Sequence, residues 1–184
     1  MPIPTELTLE TRRCILRQPR VADASRLLSA FTSKEFPEDV PLARIDSLEQ
    51  VRDWIEGSRE RWTSGAGYTF TAIRKSDQLV VGQVTLVKIG GGETWSLAFW
   101  THPDCWGEGF ATEIARAAIY LAFDQLSAVR IWAAAATWNA ASLRVLRKLR
   151  MNYLGDNQDG YRLGEDVIPT SEYSLELSDW KQFK

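Results

Sequence analysis

Trp106-Gly107-Glu108-Gly109-Phe110-Ala111-Thr112-Glu113 is a turn of small residues that runs into a long amphipathic stretch, and one apolar run later Asn139-Ala140-Ala141-Ser142 opens another. A turn of this kind at the start of a helix leaves backbone N–H groups free and lets the backbone approach a ligand closely, which is how helix N-termini hold phosphates. The pair points to a phosphorylated ligand. Two common phosphate motifs are excluded by the same residues. A P-loop requires Gly-Lys-Ser/Thr after its glycines. A dinucleotide fingerprint requires a third small residue in register and an acidic residue after the next strand.

Working outward, Ile114, Ala118, Leu121 and Ala122 line one face of the helix that follows the turn. Val129 to Ala136 is a short apolar run that predicts a buried strand, and Leu143, Leu146 and Leu149 line the next helix. Upstream, three strands are expected over Tyr68 to Arg74, Leu79 to Val87, and Glu93 or Thr94 to Thr101, separated by Ser76-Asp77 and Gly90-Gly91-Gly92. A first strand is expected over residues 8 to 17, then a short helix carrying Ala24, Leu27, Leu28 and Phe31. Two prolines make Lys34 to Pro41 a loop. A second helix starts near Ser47, which has capping-box spacing to Gln50, and buries Leu48, Val51, Trp54, Ile55 and Trp62. Two last strands fall at 151 to 155 and 171 to 177, with Asp156-Asn157-Gln158-Asp159-Gly160 in their connection. The result is a mixed α/β sheet packed by about four helices.

Composition fits this reading. The chain has 184 residues, 45% of them hydrophobic, so one sizeable core in a single domain over 1–184 is expected. A net charge of -2 does not advertise nucleic acid or a membrane surface as partner. Cys14 and Cys105 are too few for a disulfide framework or metal cluster, and His102 has no ligand partners in spacing, so no metal is expected. With no leader-like N-terminus and no long apolar run, a reducing cytoplasm is the expected compartment.

The Trp106–Glu113 segment resembles the acetyl-coenzyme A pyrophosphate loop of GNAT N-acetyltransferases, specifically the RimJ/RimL-type branch, which reads like Trp-Gly-Lys-Gly-Tyr-Ala-Thr-Glu. Asn139-x-x-Ser142 followed by Arg147-Lys148-Leu149 resembles that branch's Asn-x-x-Ser segment and the start of its Lys-Leu-Gly-Phe signature. Leu9-Glu10-Thr11-x-Arg13 with Leu16-Arg17, then Ala22-Asp23-Ala24, and later Val81-Gly82, match its opening strand and helix and its central hairpin. The resemblance spans essentially the whole chain.

It implies the GNAT fold: a central, mostly antiparallel sheet of about six or seven strands, with one strand pair splayed apart to admit the pantetheine arm. Leu97, Phe99 and Trp100 stand on one splayed strand, and Ile131 to Ala136 on the other. The pyrophosphate would lie on the loop formed by Trp106, Gly107, Glu108, Gly109, Phe110, Ala111 and Thr112, where the helix dipole favours negative charge. Asn139, which can also serve as a plain N-cap, would bond to the pantetheine, and Ser142 would meet the sulfur and protonate the leaving thiolate. Arg144, Arg147, Lys148 and Arg150 form a basic flank, ordinarily just solvated, that could steer an acidic cofactor. Acetyl-CoA would be the donor and coenzyme A a product.

The implied reaction is acetyl transfer to a primary amine, a protein N-terminal α-amine or a small-molecule amine, by direct attack in a ternary complex. The alternative is a non-catalytic acyl-CoA-binding sensor or scaffold. That alternative rests on a departure: many relatives carry Glu-Ile-Gly-Tyr-Trp where this chain has Ser96-Leu97-Ala98-Phe99-Trp100. Serine is a poor base. Glu93 lies on the opposite face in a regular strand, and only a β-bulge would turn it toward a substrate. No base is assigned. A weak base favours an α-amine, with pKa about 8, over a lysine near 10.4. Arg150-Met151 also replaces the branch's Gly-Phe, which alters the helix end. A monomer or homodimer is expected.

Overall fold

In the computed structural model, which describes residues 2–182, one sheet of eight strands runs through the molecule in the order β1-β2-β3-β4-β5-β6-β8-β7. The strands are β1 (Leu9–Glu10), β2 (Cys14–Arg17), β3 (Gly67–Arg74), β4 (Val80–Ile89), β5 (Thr94–Thr101), β6 (Arg130–Ala136), β7 (Asn152–Leu163) and β8 (Asp166–Glu176). The helices are α1 (Ala24–Phe31), α2 (Leu48–Ser64), α3 (Phe110–Asp124), α4 (Ala140–Lys148) and α5 (Leu177–Lys181). Every pairing is antiparallel except β5 with β6, which α3 joins as a crossover.

Alternation sorts the sheet into two unlike faces. Leu16, Phe70, Val84, Leu86, Trp95, Leu97 and Ile131 point to one side and form the main core with Ile114, Ala118 and Leu121 of α3, Leu146 of α4 and Trp180 of α5. Burying each such side chain contributes about 1.5–3 kcal/mol, so this face carries most of the fold's stability. The opposite side is different. Ile73, Val80 and Trp100 there pack against Leu27 and Phe31 of α1 and Val51 and Ile55 of α2. Its centre is polar, with Thr69, Thr71, Gln83 and Thr85 on β3 and β4 and Ser96 on β5.

The local signals explain most elements. Ser47 caps α2 by accepting from Gln50 N, and Gly65, with φ 73°, closes it. Gln50 reaches back to Asp46 N rather than to Ser47 N, a shift of one residue from a standard capping box. Leu48 is exposed and Trp54 only half-buried, so the buried stripe of α2 is Val51, Ile55, Ser58 and Trp62.

Three expectations are corrected. The strand expected over 8 to 17 is two short strands, because Thr11 Oγ1 turns inward to accept from Cys14 N and the chain bends toward α3. Asp156 to Gly160 is not a connection. It lies inside β7, held to β8 by Ser171 Oγ donating to Asp156 and Asn157 Nδ2 donating to Glu172. β7 is an edge strand exposed on both sides, so it lacks the apolar alternation that marks a strand. The strand count is therefore eight rather than six or seven, and α5 adds a short fifth helix.

Candidate active site

The parallel pair β5–β6 is matched only at Thr94–Arg130, Trp95–Ile131 and Ser96–Trp132. Beyond Ser96 the two strands separate. β5 stays paired to β4 as far as Thr101, and β6 stays paired to β8 as far as Ala136, so the opening lies inside the sheet with both walls held. The expected splay is thus a feature of the backbone.

The Trp106–Thr112 turn sits past the end of β5. A 3-10 turn over Pro103–Cys105 leads into it, and Trp106 Nε1 donates to Thr101 O at 2.9 Å, tying the loop to the strand. Gly107 and Gly109 adopt φ of 78° and 83°, left-handed conformations that cost other residues about 1–2 kcal/mol. Gly109 is the N-cap of α3 and has no side chain to offer, so the amides of Phe110, Ala111 and Thr112 open the helix without a side-chain cap. Phe110 turns its ring into the core at 2% exposure, leaving only its backbone at the loop surface.

Sequence reasoning missed what holds this loop. Arg13 Nη1 donates to Glu108 O at 3.0 Å, and the same guanidinium lies 4.0 Å from the centre of the Phe110 ring. Glu113, in the first turn of α3, accepts from Thr11 Oγ1 (2.7 Å), Arg13 N (2.8 Å) and Arg13 Nε (2.7 Å). Burial works to raise the Glu113 pKa, but the bonds from Thr11 and Arg13 outweigh it and the net shift is downward. Thr11-x-Arg13 is therefore a brace for the loop. The signal was present as spacing, but its partner is a hundred residues away.

At the other wall, Asn139 Oδ1 accepts from Ser142 N at 3.0 Å, the expected N-cap of α4. The Ser142 hydroxyl is half-buried and makes no hydrogen bond among the described residues. The side chains of Leu97 and Phe99 point to the α3 face, whereas Trp100 points to the α1 face, 5.0 Å from Phe31 and 5.8 Å from Phe36. Arg150 takes φ 59° where the resemblance would place glycine, and Met151 N still reaches Leu146 O, so α4 closes normally.

The α1 face beside the opening carries unmet polar atoms. Gln83 Nε2 donates to Thr71, but Gln83 Oε1 and the neighbouring Trp100 Nε1 are buried without a protein partner. Ser96 shares this face. β5 runs in unbroken register with β4 from Thr94, so no bulge turns Glu93 inward, and Glu93 remains an exposed turn residue.

Neither thiol is a nucleophile. Burial, reinforced by Asp104, pushes Cys105 up to about 12, and burial likewise pushes Cys14 up to about 11. His102 is buried against Ser29 and Asp104, and burial together with Arg26 lowers its pKa. Among the described residues no group of three or more His, Cys, Asp or Glu is placed to hold a metal ion, and no helix is long and apolar enough to cross a membrane.

Comparison with known proteins agrees with this geometry. Residues 13–152 match the family model described as an acetyltransferase (GNAT) domain. The chain is 27% identical over 142 residues to the uncharacterized N-acetyltransferase YoaA of Bacillus subtilis, covering 77% of this chain and 80% of that protein. Its fold is similar to Mycobacterium smegmatis RimJ in complex with a CoA disulfide, with a TM-score of 0.82, 16% identity, and coverage of 95% and 89% of the two chains. It is also similar to RimL, a ribosomal L7/L12 alpha-N-protein acetyltransferase in complex with coenzyme A, with a TM-score of 0.83, 13% identity, and coverage of 94% and 99%. A loop braced at a helix N-terminus, a parallel strand pair that opens beside it, and a family match across most of the length converge: the chain belongs to the GNAT family of N-acetyltransferases.

Proposed function

We propose that this chain, as one domain over 1–184, transfers an acetyl group from acetyl-CoA to a primary amine by direct attack in a ternary complex. The observation that carries this is the opening of β5 from β6 after Ser96–Trp132, with the uncapped start of α3 beyond one wall and Asn139 and Ser142 following the other. The residues present fit such a donor. Backbone groups of Leu97 and Phe99 facing the opening have lost their strand partner and suit an extended amide-bearing arm, whereas Trp100 O is turned to Gly82 of β4, on the closed edge. The amides from Gly107 to Thr112 suit a pyrophosphate. The basic flank of α4, from Arg144 to Lys148, adds favourable charge nearby.

Acetyl-CoA supplies the thioester, whose acyl carbon is the electrophile. Asn139 is occupied as a cap through its oxygen, which leaves its Nδ2 to donate to the pantetheine. The free hydroxyl of Ser142 is the donor available to a leaving thiolate. The raised thiol pKa values support attack by the amine itself, without an acyl-enzyme on cysteine. The acceptor reading is an α-amine of a protein N-terminus or a small-molecule amine. It is supported by the resemblance to the alpha-N-protein acetyltransferase and by the polar α1 face, where Gln83 Oε1 and Trp100 Nε1 await partners. Two unpaired buried thiols fit a reducing compartment such as the cytoplasm.

Thermal unfolding with coenzyme A tests the donor site: at ~100 times its dissociation constant the ligand should add about 2.7 kcal/mol of stability. Asn139→Ala should cost about 1 kcal/mol without ligand through the lost cap and should also weaken coenzyme A binding. Thiol release from acetyl-CoA with short peptides and small amines then tests transfer. Ligand-induced stabilisation with no acceptor-dependent thiol release would favour a sensor, a reading kept open by Ser96 in place of a strand glutamate.

A further inference from the structure

Ser96 leaves the acceptor face without a base on β5, but the register supplies a carboxylate two strands away. Ser96 pairs with Trp132, Trp132 with Ser174, and Ala134 with Glu172, all without a register shift. Paired and alternate residues share a face, so Glu172 points to the same side as Ser96. It stands opposite Ala134, two residues past the last β5–β6 pair, and so flanks the opened part of the sheet. Glu172 is half-buried and held by two neutral donors, Trp132 Nε1 at 3.4 Å and Asn157 Nδ2 at 2.9 Å. Both bonds fix the carboxylate without neutralising it.

The other carboxylates on this face of β8 are Asp166, where the strand leaves its turn from β7, and Glu176, which differs on both counts. Glu176 is bridged by Arg130 at 2.6 Å and stands at the level of Thr94, where the strands are still closed. Further along the same face, Tyr161 of β7 stands opposite Ile168 of β8, and its hydroxyl donates to Asp39 O in the Lys34 to Pro41 loop. Burial and Asp39 raise the Tyr161 pKa, so that hydroxyl stays neutral.

We propose that Glu172 binds the acceptor ammonium and takes its proton, performing the task that Ser96 cannot. This rests on the amine-acceptor reading above. The ammonium gives one proton to the Glu172 carboxylate. The freed nitrogen lone pair forms the C–N bond at the acyl carbon as the C–S bond breaks. The leaving thiolate takes a proton from the Ser142 hydroxyl, the acylated nitrogen releases its second proton to restore that hydroxyl through water, and Glu172 returns its own proton to solvent, so one proton is released overall.

The test compares E172Q and E172D with the unaltered chain, using acetyl-CoA and two acceptors: a short peptide with a free α-amine and an arylamine that is already neutral. At pH 6.5 most α-amine is protonated. E172Q, which keeps an oxygen for one of the two donors, Trp132 or Asn157, should lower kcat/KM for the peptide by about 100-fold, within the range general bases supply. The arylamine should lose far less, and E172D should recover part of the peptide activity. Calorimetric titration of the peptide into the coenzyme A-loaded protein should show affinity about tenfold weaker in E172Q, as expected for a lost charged hydrogen bond. Equal losses for both acceptors, or none for either, would overturn the Glu172 assignment and leave acetyl transfer standing. Absence of thiol release by the unaltered chain with every acceptor would overturn the amine-acceptor reading and the assignment with it.

Discussion

The two edges of β5 are built from opposite principles. Toward β4 the strand is paired from Thr94 to Thr101, and the backbones approach so closely at Gly82 that a Cβ there would lie 2.2 Å from Trp100 O. Toward β6 only three pairs form before the strands part. An unpaired strand edge inside a sheet leaves backbone donors and acceptors that need partners, so the open edge is costly unless a ligand or water meets them. The molecule tolerates it because each wall is anchored on its far side, β5 to β4 and β6 to β8. A binding slot in mid-sheet therefore depends on the rigidity of the edges that do not touch the ligand.

Three changes would break or sharpen this contrast. The largest effect should come from the closed edge. Gly82→Val has no space for its side chain and should cost about 3 kcal/mol or unfold the chain, as read from urea unfolding. A cost under ~1 kcal/mol would show that the tight β4–β5 approach is not what holds the wall.

Next comes the loop at the open edge. Glu113→Gln removes the charge that holds Thr11 and Arg13 and should cost about 2 kcal/mol at neutral pH. Because the Glu113 pKa is lowered on folding, its contribution is complete above the unfolded value, about 4.3, and fades as pH falls through the folded one. The stability difference between the two chains should therefore shrink with acidification. It should also be accompanied by a smaller coenzyme A shift, since the brace fixes the loop rather than the core. A difference that stays constant down to acid pH would mean that Glu113 acts through packing instead of charge.

The smallest effect is a gain. Arg150→Gly relieves a left-handed residue at the far end of α4 and should add about 1 kcal/mol. It should leave the coenzyme A shift unchanged, because only the N-terminal end of α4 borders the opening.

Much of this was legible in the residues. Strands β3 to β6 and helices α1 to α4 fall close to where periodicity puts them. Ser47, Gly65 and Asn139 perform the capping their types favour, and the small residues of the Trp106–Thr112 turn mark the start of α3. Not legible was the length of the C-terminal hairpin: the strands expected at 151 to 155 and 171 to 177 extend over Asn152–Leu163 and Asp166–Glu176, because β7 is wet on both faces and leaves no alternation to read.

The sequence by itself determined the local conformations, the apolar α3 face and the loop that opens it, because each follows from spacings of two to four residues. Only the tertiary structure decided what surrounds that loop. The Arg13–Glu113 brace joins residues a hundred positions apart, and Glu172 reaches the Ser96 face only through the registers of three strands. Period-two alternation says that a side chain is up or down within its own strand. It does not say which strand lies alongside or at what offset, and a slip of one residue would have turned Glu172 to the other face.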